Sequence, residues 1–204
     1  MGTTLPGSLR HESDGANITC MMQAASPDFT TTFQVDRTPD DVFSAIIDVR
    51  GWWSREINGV TDEVDEEFDY RYQDVHRCTI RVVELVPGRK VVWRVVDNYF
   101  NFIDDQAEWK DTEIVFDIVA TDGGAEVRFT HVGLVPQYEC YDVCSNAWGG
   151  YLEGSLRSLI STGLGQPNPR ENGDAPSHQA AATAARDTLS VPRNAAAEAK
   201  SSGV

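Results

Sequence analysis

Positive charge is scarce in this chain. Its 17 Lys and Arg stand against 32 Asp and Glu, a formal net charge of -15. A surface of that sign repels phosphate backbones and anionic headgroups, which argues against nucleic acid and membrane surfaces as partners. Long apolar runs are missing as well. None approaches the roughly 20 residues that span a bilayer, so no membrane insertion is expected. The opening residues, MGTTLPGSLRHESDGAN, hold no continuous apolar core and do not read as a secretory signal. Pro6 breaks the myristoylation pattern. Four cysteines in 204 residues are too few for a dense disulfide framework and suit a reducing compartment. A cytoplasmic protein is the expectation. The sequence also lacks G-x-S-x-G, a phosphate-cradling glycine loop with Lys, and H-E-x-x-H. Hydrolase, nucleotide-binding and zinc-protease readings lose their usual support.

What is present organises into three parts. Residues 1–27 are Gly-, Ser- and Thr-rich without periodicity, and read as a disordered leader. Met21 and Met22 lie just ahead of the first strand and offer an alternative to Met1 as the start of translation. Residues 165–204 are rich in Ala, Asn, Pro, Ser and Gly and read as a disordered low-complexity tail. The 41% hydrophobic content suffices for one domain with a sizeable core, over residues 28–164.

Within the domain, period-two alternation dominates. FTTTFQV, EFDYRYQ, HRCTIRVVEL, KVVWRVV, TEIVFDIVA and EVRFTHVGL each gather apolar residues on one face, and all but the first carry charges on the other. Pro87-Gly88 and Asp122-Gly123-Gly124 mark turns between them. A short helix follows the first strand. Thr38, Pro39 and Asp41 supply its capping signals, and Val42, Phe43, Ile46 and Ile47 its buried stripe. A long helix closes the domain, with Tyr141, Cys144, Trp148, Tyr151, Ser155 and Leu159 at three- and four-residue steps. The order strand, short helix, several strands, long helix predicts an α+β domain: a curved antiparallel sheet of about six strands wrapped around its C-terminal helix.

Several segments carry a resemblance: TFQVDRTPDDVFSAI, GWW, CTIRVVELVPGRKVVWRV, EWKDTEIVFDI, EVRFTHVGLVP and CSNAWGGYLEGSLRSLISTG. They resemble the SRPBCC superfamily, whose members include START lipid carriers, plant pathogenesis-related allergens and polyketide cyclases. Within it the chain looks most like homologues of the activator of heat-shock-protein ATPase. The resemblance implies a helix-grip fold with an internal cavity. It implies no universal catalytic set, and no residue role is carried over from it.

The expected function is binding of an apolar or aromatic small molecule between sheet and C-terminal helix, with no cofactor and no metal. Candidate ligand-binding residues are Phe33, Trp53, Phe68, Tyr70, Trp93, Phe116, Phe129, His131, Tyr141, Cys144, Trp148 and Tyr151. One alternative is an enzyme of the cyclase or dehydratase kind, with His131, on an inward strand face, as general base. The other is an interaction module with a protein partner such as a chaperone. Cys140 and Cys144 sit one turn apart, a weak metal signal even with Cys78 and His76 added, and read better as buried thiols. Of the adjacent pair Trp52 and Trp53, one is expected in the core and one at a pocket mouth. Gly149 and Gly150 interrupt the final helix, as if to let a strand or ligand approach. The acidic runs at 62–67 and 104–105 read as solvated loop charges, and Glu108 as a cavity-entrance residue.

Overall fold

The computed structural model describes residues 1–2 and 27–171. The expected leader, apart from its ends, and most of the expected tail lie outside the described residues. Strand β1 (Phe29–Val35) is followed by helices α1 (Pro39–Ile47) and α2 (Val49–Trp52). Six strands come next: β2 (Asn58–Gly59), β3 (Glu67–Tyr72), β4 (His76–Val86), β5 (Lys90–Phe100), β6 (Glu113–Thr121) and β7 (Gly124–Val132). The last helix runs through α3 (Tyr141–Gly149), a π-helical segment (Gly150–Leu156) and α4 (Arg157–Thr162).

The strands form one antiparallel sheet in the order β1-β7-β6-β5-β4-β3-β2. Seven strands replace the expected six or so because Asn58–Gly59 pairs with Asp69 and Phe68 at the edge. That pairing has no apolar alternation to announce it. It depends on Gly59, whose φ of 112° and close approach to the Glu67 carbonyl leave no room for a Cβ. Register shifts in β4 between Thr79 and Ile80, and between Val82 and Glu84, bend the sheet where it curves.

Helix α1 starts as its sequence prescribes. Thr38 accepts from the Asp41 amide, Asp41 accepts from the Thr38 amide, and Pro39 occupies the first turn. The helix stops at Ile47, and a separate turn, α2, delivers Trp52 and Trp53 inward. Both rings are buried, so neither guards a mouth.

The gripping helix buries Cys144, Trp148, Leu152, Ser155, Leu156 and Ile160, while Tyr141, Tyr151 and Leu159 are only partly covered. Steps of four drift about 40° each around an α-helix. The wider π turns at Gly150–Leu156 take up that drift, so the four-residue series stays against the sheet and Ile160 displaces the expected Leu159. The helix ends at Gly163, left-handed at φ 78°.

Residues 165–171 do not behave as the start of a tail. Asn168 pairs with Ser54, its amide donating to the Trp53 carbonyl at 3.0 Å and its carbonyl accepting from the Arg55 amide at 3.0 Å. Arg170 Nε donates to the Arg55 carbonyl, and the Glu171 amide to Glu56 Oε1. Polar groups fasten this strap, which is why a reading tuned to apolar burial passes over it.

Candidate functional site

Aromatic rings fill most of the space between sheet and helix. Trp53 stacks on Tyr70 with centroids 4.4 Å apart and lies 5.0 Å from Trp148. Trp93 packs between Trp52, Phe68 and Phe116, and Phe129 closes on Trp148 at 4.8 Å. The interior expected to be a cavity is thus largely occupied by the chain's own side chains.

A cavity of about 80 Å³ remains at one end. Small-molecule sites are usually several-fold larger, roughly 300–1,000 Å³. It forms where Tyr72, His76 and Phe100 are register neighbours on β3, β4 and β5. The 101–112 loop folds back to add Phe102 and Trp109, and α3 covers it with Val143, Cys144, Ala147 and Trp148. Trp53, Tyr70, His76, Phe100 and Trp109 are buried at its floor, while the half-exposed Tyr72, Val75, Phe102 and Val143 form a rim.

Among the expected lining residues, Trp53, Tyr70, Cys144, Trp148 and Tyr151 are on this wall. Phe33, Phe68, Trp93, Phe116, Phe129, His131 and Tyr141 are not. The first five are packed core of the sheet face, His131 lies behind Trp109 and Trp148, and Tyr141 is partly buried outside the cavity. Alternation identifies an inward face but not where along that face packing fails. His76, Phe100 and Trp109 were missed for that reason. The register pair His76–Phe100 at the strand ends, followed by an aromatic-bearing loop, was the available signal.

His131 is enclosed in a hydrogen-bond chain that fixes its tautomer. Trp148 Nε1 donates to His131 Nδ1 at 3.1 Å, so Nδ1 is unprotonated. Nε2 therefore donates to Thr112 Oγ1 at 2.9 Å, and that hydroxyl donates to the Trp109 carbonyl at 2.5 Å. Burial, helped by the neighbouring His76, pushes its pKa down to about 3. With both nitrogens engaged and no access to the cavity, His131 does not have a general base's geometry.

His76 is the histidine on the wall. Its Nε2 meets Asn98 Oδ1 at 2.9 Å, and Asn98 Nδ2 donates to the Gln106 carbonyl at 3.1 Å. Burial holds it neutral, with a pKa near 3, against a smaller opposing effect of Asn98. At the far end, Tyr151 and Tyr70 hydroxyls lie 3.5 Å apart and both accept from Asn168 Nδ2, at 2.7 and 3.3 Å. Burial raises both phenol pKa values, so both stay protonated.

Glu108 is not at the entrance. Its carboxylate accepts from the Glu139 and Cys140 amides at 2.7 and 2.9 Å, capping the start of α3. Cys78, Cys140 and Cys144 are free and buried, and Cys140 is raised by its contact with Cys144 and by burial. Among the described residues no group of three or more His, Cys, Asp or Glu is placed to hold a metal ion. Gly149 faces neither strand nor cavity, since a Cβ there would meet open space.

Comparison with known proteins adds to this geometry. The family profile described as activator of Hsp90 ATPase homolog 1-like protein matches residues 36–161. The fold is similar to the solution structure of the Aha1 dimer from Colwellia psychrerythraea, at 21% identity over 68% of this chain and 99% of that chain, TM-score 0.55. It is also similar to a protein from Staphylococcus saprophyticus, at 17% identity over 70% of this chain and 98% of that one, TM-score 0.53. DynU16, from the dynemicin biosynthetic locus, shares 14% identity over 73% of this chain and 57% of its own, TM-score 0.54. No curated protein matches the chain. Among the described residues no helix is long and apolar enough to cross a membrane.

Proposed function

The chain belongs to the activator of Hsp90 ATPase homolog 1-like family, and on that premise we propose that it binds a small apolar or aromatic molecule in the cavity between sheet and C-terminal helix. The observation that carries the reading is the wall. Trp53, Tyr70, Phe100, Trp109 and Trp148 surround a space that opens at a rim of half-exposed residues. Flat aromatic faces hold planar guests by burial and by edge-to-face contacts worth about 0.5–1.5 kcal/mol each. The small volume limits the guest to a compact one. The reading is of binding rather than turnover, because both ring nitrogens of His131 are already hydrogen-bonded and the ring lies off the cavity wall. A cytoplasmic location belongs to the same proposal and is supported by the free, buried thiols. The family description favours a protein partner as the second reading.

Native mass spectrometry of the full chain, then denaturing extraction, tests it. The expected result is release of an uncharged aromatic or apolar compound. A chain at its bare mass, whose tryptophan emission is unmoved by saturating small aromatic compounds, overturns the proposal. Recovery of a chaperone in a pull-down, with nucleotide present or absent, would then favour the second reading.

A further inference from the structure

The cavity opens on an apolar surface. Tyr72, Val75, Phe102 and Val143 are half-exposed on its rim, and Ile103 and Tyr141, close to them in the chain, are half-exposed as well. These residues belong to the segments 72–76, 101–107 and 138–143, which are tied into one surface. The Asn101 amide donates to the Val75 carbonyl at 3.1 Å, and the Asp104 amide to Glu139 Oε2 at 2.8 Å. Aromatic-bearing apolar surface bordered by polar residues marks a contact site for a partner.

The border has one sign. Asp74, Asp104, Asp105, Glu139 and Asp142 are exposed in these segments, which contain no Lys or Arg. Arg71 reaches Asp74 at 2.9 Å, but among the described residues none of the other four carboxylates is in a salt bridge. On the sheet, by contrast, Arg81 pairs with Glu67, Lys90 with Asp117 and Arg94 with Asp111. The cavity wall itself holds no Lys, Arg, Asp or Glu. The site is thus apolar within and negative around its mouth.

We infer that the mouth docks a basic segment of another protein, with one aromatic or aliphatic side chain seated in the cavity and Lys or Arg on either side of it facing Asp104, Asp105, Glu139 and Asp142. A space of about 80 Å³, small for a free ligand, is of the order of one side chain. Interface energy concentrates in such anchors, seated in a desolvated pocket and ringed by contacts that exclude water. Complementary charge around the anchor speeds encounter and fixes orientation. A second copy of this chain does not fit, because it would bring a formal charge of -15 and the same acids to the contact. The inference goes beyond the small-molecule reading and shares with it only the premise that the cavity admits a guest.

The test is a nuclear magnetic resonance titration of the full chain with synthetic peptides. The first is Gly-Lys-Gly-Lys-Phe-Lys-Gly-Lys-Gly. The second carries Ser in place of Phe, and the third Glu in place of every Lys. Toluene is the small-molecule probe. The Phe peptide should bind about tenfold more tightly than either of the others, with the largest amide shifts in 72–76, 101–107 and 138–143. In a variant carrying Asp104→Asn, Asp105→Asn and Asp142→Asn its affinity should fall about fivefold, while that of toluene stays within about twofold. Salt at about 1 M, which screens charges beyond about 3 Å, should weaken the Phe peptide in the wild type in the same way. A Ser peptide that binds as well as the Phe peptide overturns the anchor and with it the proposal. So does a Glu peptide that binds as well, or a variant that binds the Phe peptide unchanged. Binding of toluene without any peptide overturns the docking surface and leaves the small-molecule reading standing. Failure of toluene and peptides alike overturns both. If a thermal melt shows that the variant does not fold, the peptide ranking and its salt dependence decide.

Discussion

Mild acid should destabilise this protein through two histidines that the fold keeps neutral. His76 and His131 each have a folded pKa near 3, against about 6.5 in an unfolded chain, chiefly because burial disfavours the imidazolium. Below about pH 6.5 the unfolded chain takes up a proton at each site, while the folded chain takes up none until about pH 3. The stability they contribute is therefore complete above the unfolded value and is lost as pH falls. Between about pH 7.5 and about pH 5.5 each histidine should remove about 1.4 kcal/mol, or about 2.7 kcal/mol for the pair. The window stays above the range where carboxylates titrate in the unfolded chain, near pH 4. Urea unfolding at several pH values, followed by tryptophan fluorescence, gives the free energy directly. His131→Asn should remove about half of the pH dependence, whatever it does to stability at neutral pH. The same free energy at both ends of the window, within about 0.5 kcal/mol, would refute the reasoning. It would mean that the folded core protonates these rings as readily as water does.

Three further outcomes follow from contacts already described. Glu108→Ala leaves the Glu139 and Cys140 amides without their acceptor at the start of α3 and should cost about 1–2 kcal/mol in urea unfolding; an unchanged midpoint would remove the capping role. Trp148→Phe deprives His131 Nδ1 of its donor and shrinks a buried ring, a loss of about 3 kcal/mol in thermal melts. A loss below about 1 kcal/mol would show that the bond contributes little. Gly149→Ala meets nothing within 4 Å and should raise stability by about 0.5–1 kcal/mol; a decrease would show that glycine has another role there, for instance in the π turn that begins beside it.

Much of the architecture was legible because it rests on period. The inward sets of β3, β6 and β7 alternate, and Thr38-Pro39-Asp41 spells out its helix start, so strand and helix identities follow from residue type and spacing alone. What failed did so where another force acts. Asn58–Gly59 pairs through backbone and a glycine that permits close approach, with no apolar signal. The strap at Asn168 to Glu171 is held by amides and carbonyls. On the final helix the π segment changes which residues face the sheet, so a count at 3.6 residues per turn selects Leu159 where Ile160 is buried. The candidate site suffered most. Inwardness is a property of one strand, whereas a cavity is a failure of several elements to meet, and no strand encodes it. Phe116 and Phe129 are as inward as any residue, and they fill the space expected for a ligand.

The residue that joins the fold to the site is Glu108. It precedes Trp109, whose ring forms part of the cavity wall, and its carboxylate holds the start of the helix that forms the roof. The 101–112 loop and α3 are therefore fastened to each other at the cavity's edge rather than merely adjacent. The Asp104 amide adds a second tie, donating to Glu139 at 2.8 Å. A guest that seats against Trp109 must either fit the space these ties leave or release them. Releasing them leaves the Glu139 and Cys140 amides, just ahead of α3, without their acceptor, at about 1–2 kcal/mol. That cost is large for a single-ring ligand, whose whole binding energy is capped at about 1.5 kcal/mol per heavy atom and is usually well below it. Selection for compact guests would then come from the roof's fastening as well as from cavity volume. Glu108→Ala should accordingly loosen the size limit, letting a two-ring compound such as naphthalene shift the tryptophan emission at concentrations where the wild type does not respond. An unchanged response in both proteins would place the size limit in the aromatic packing alone.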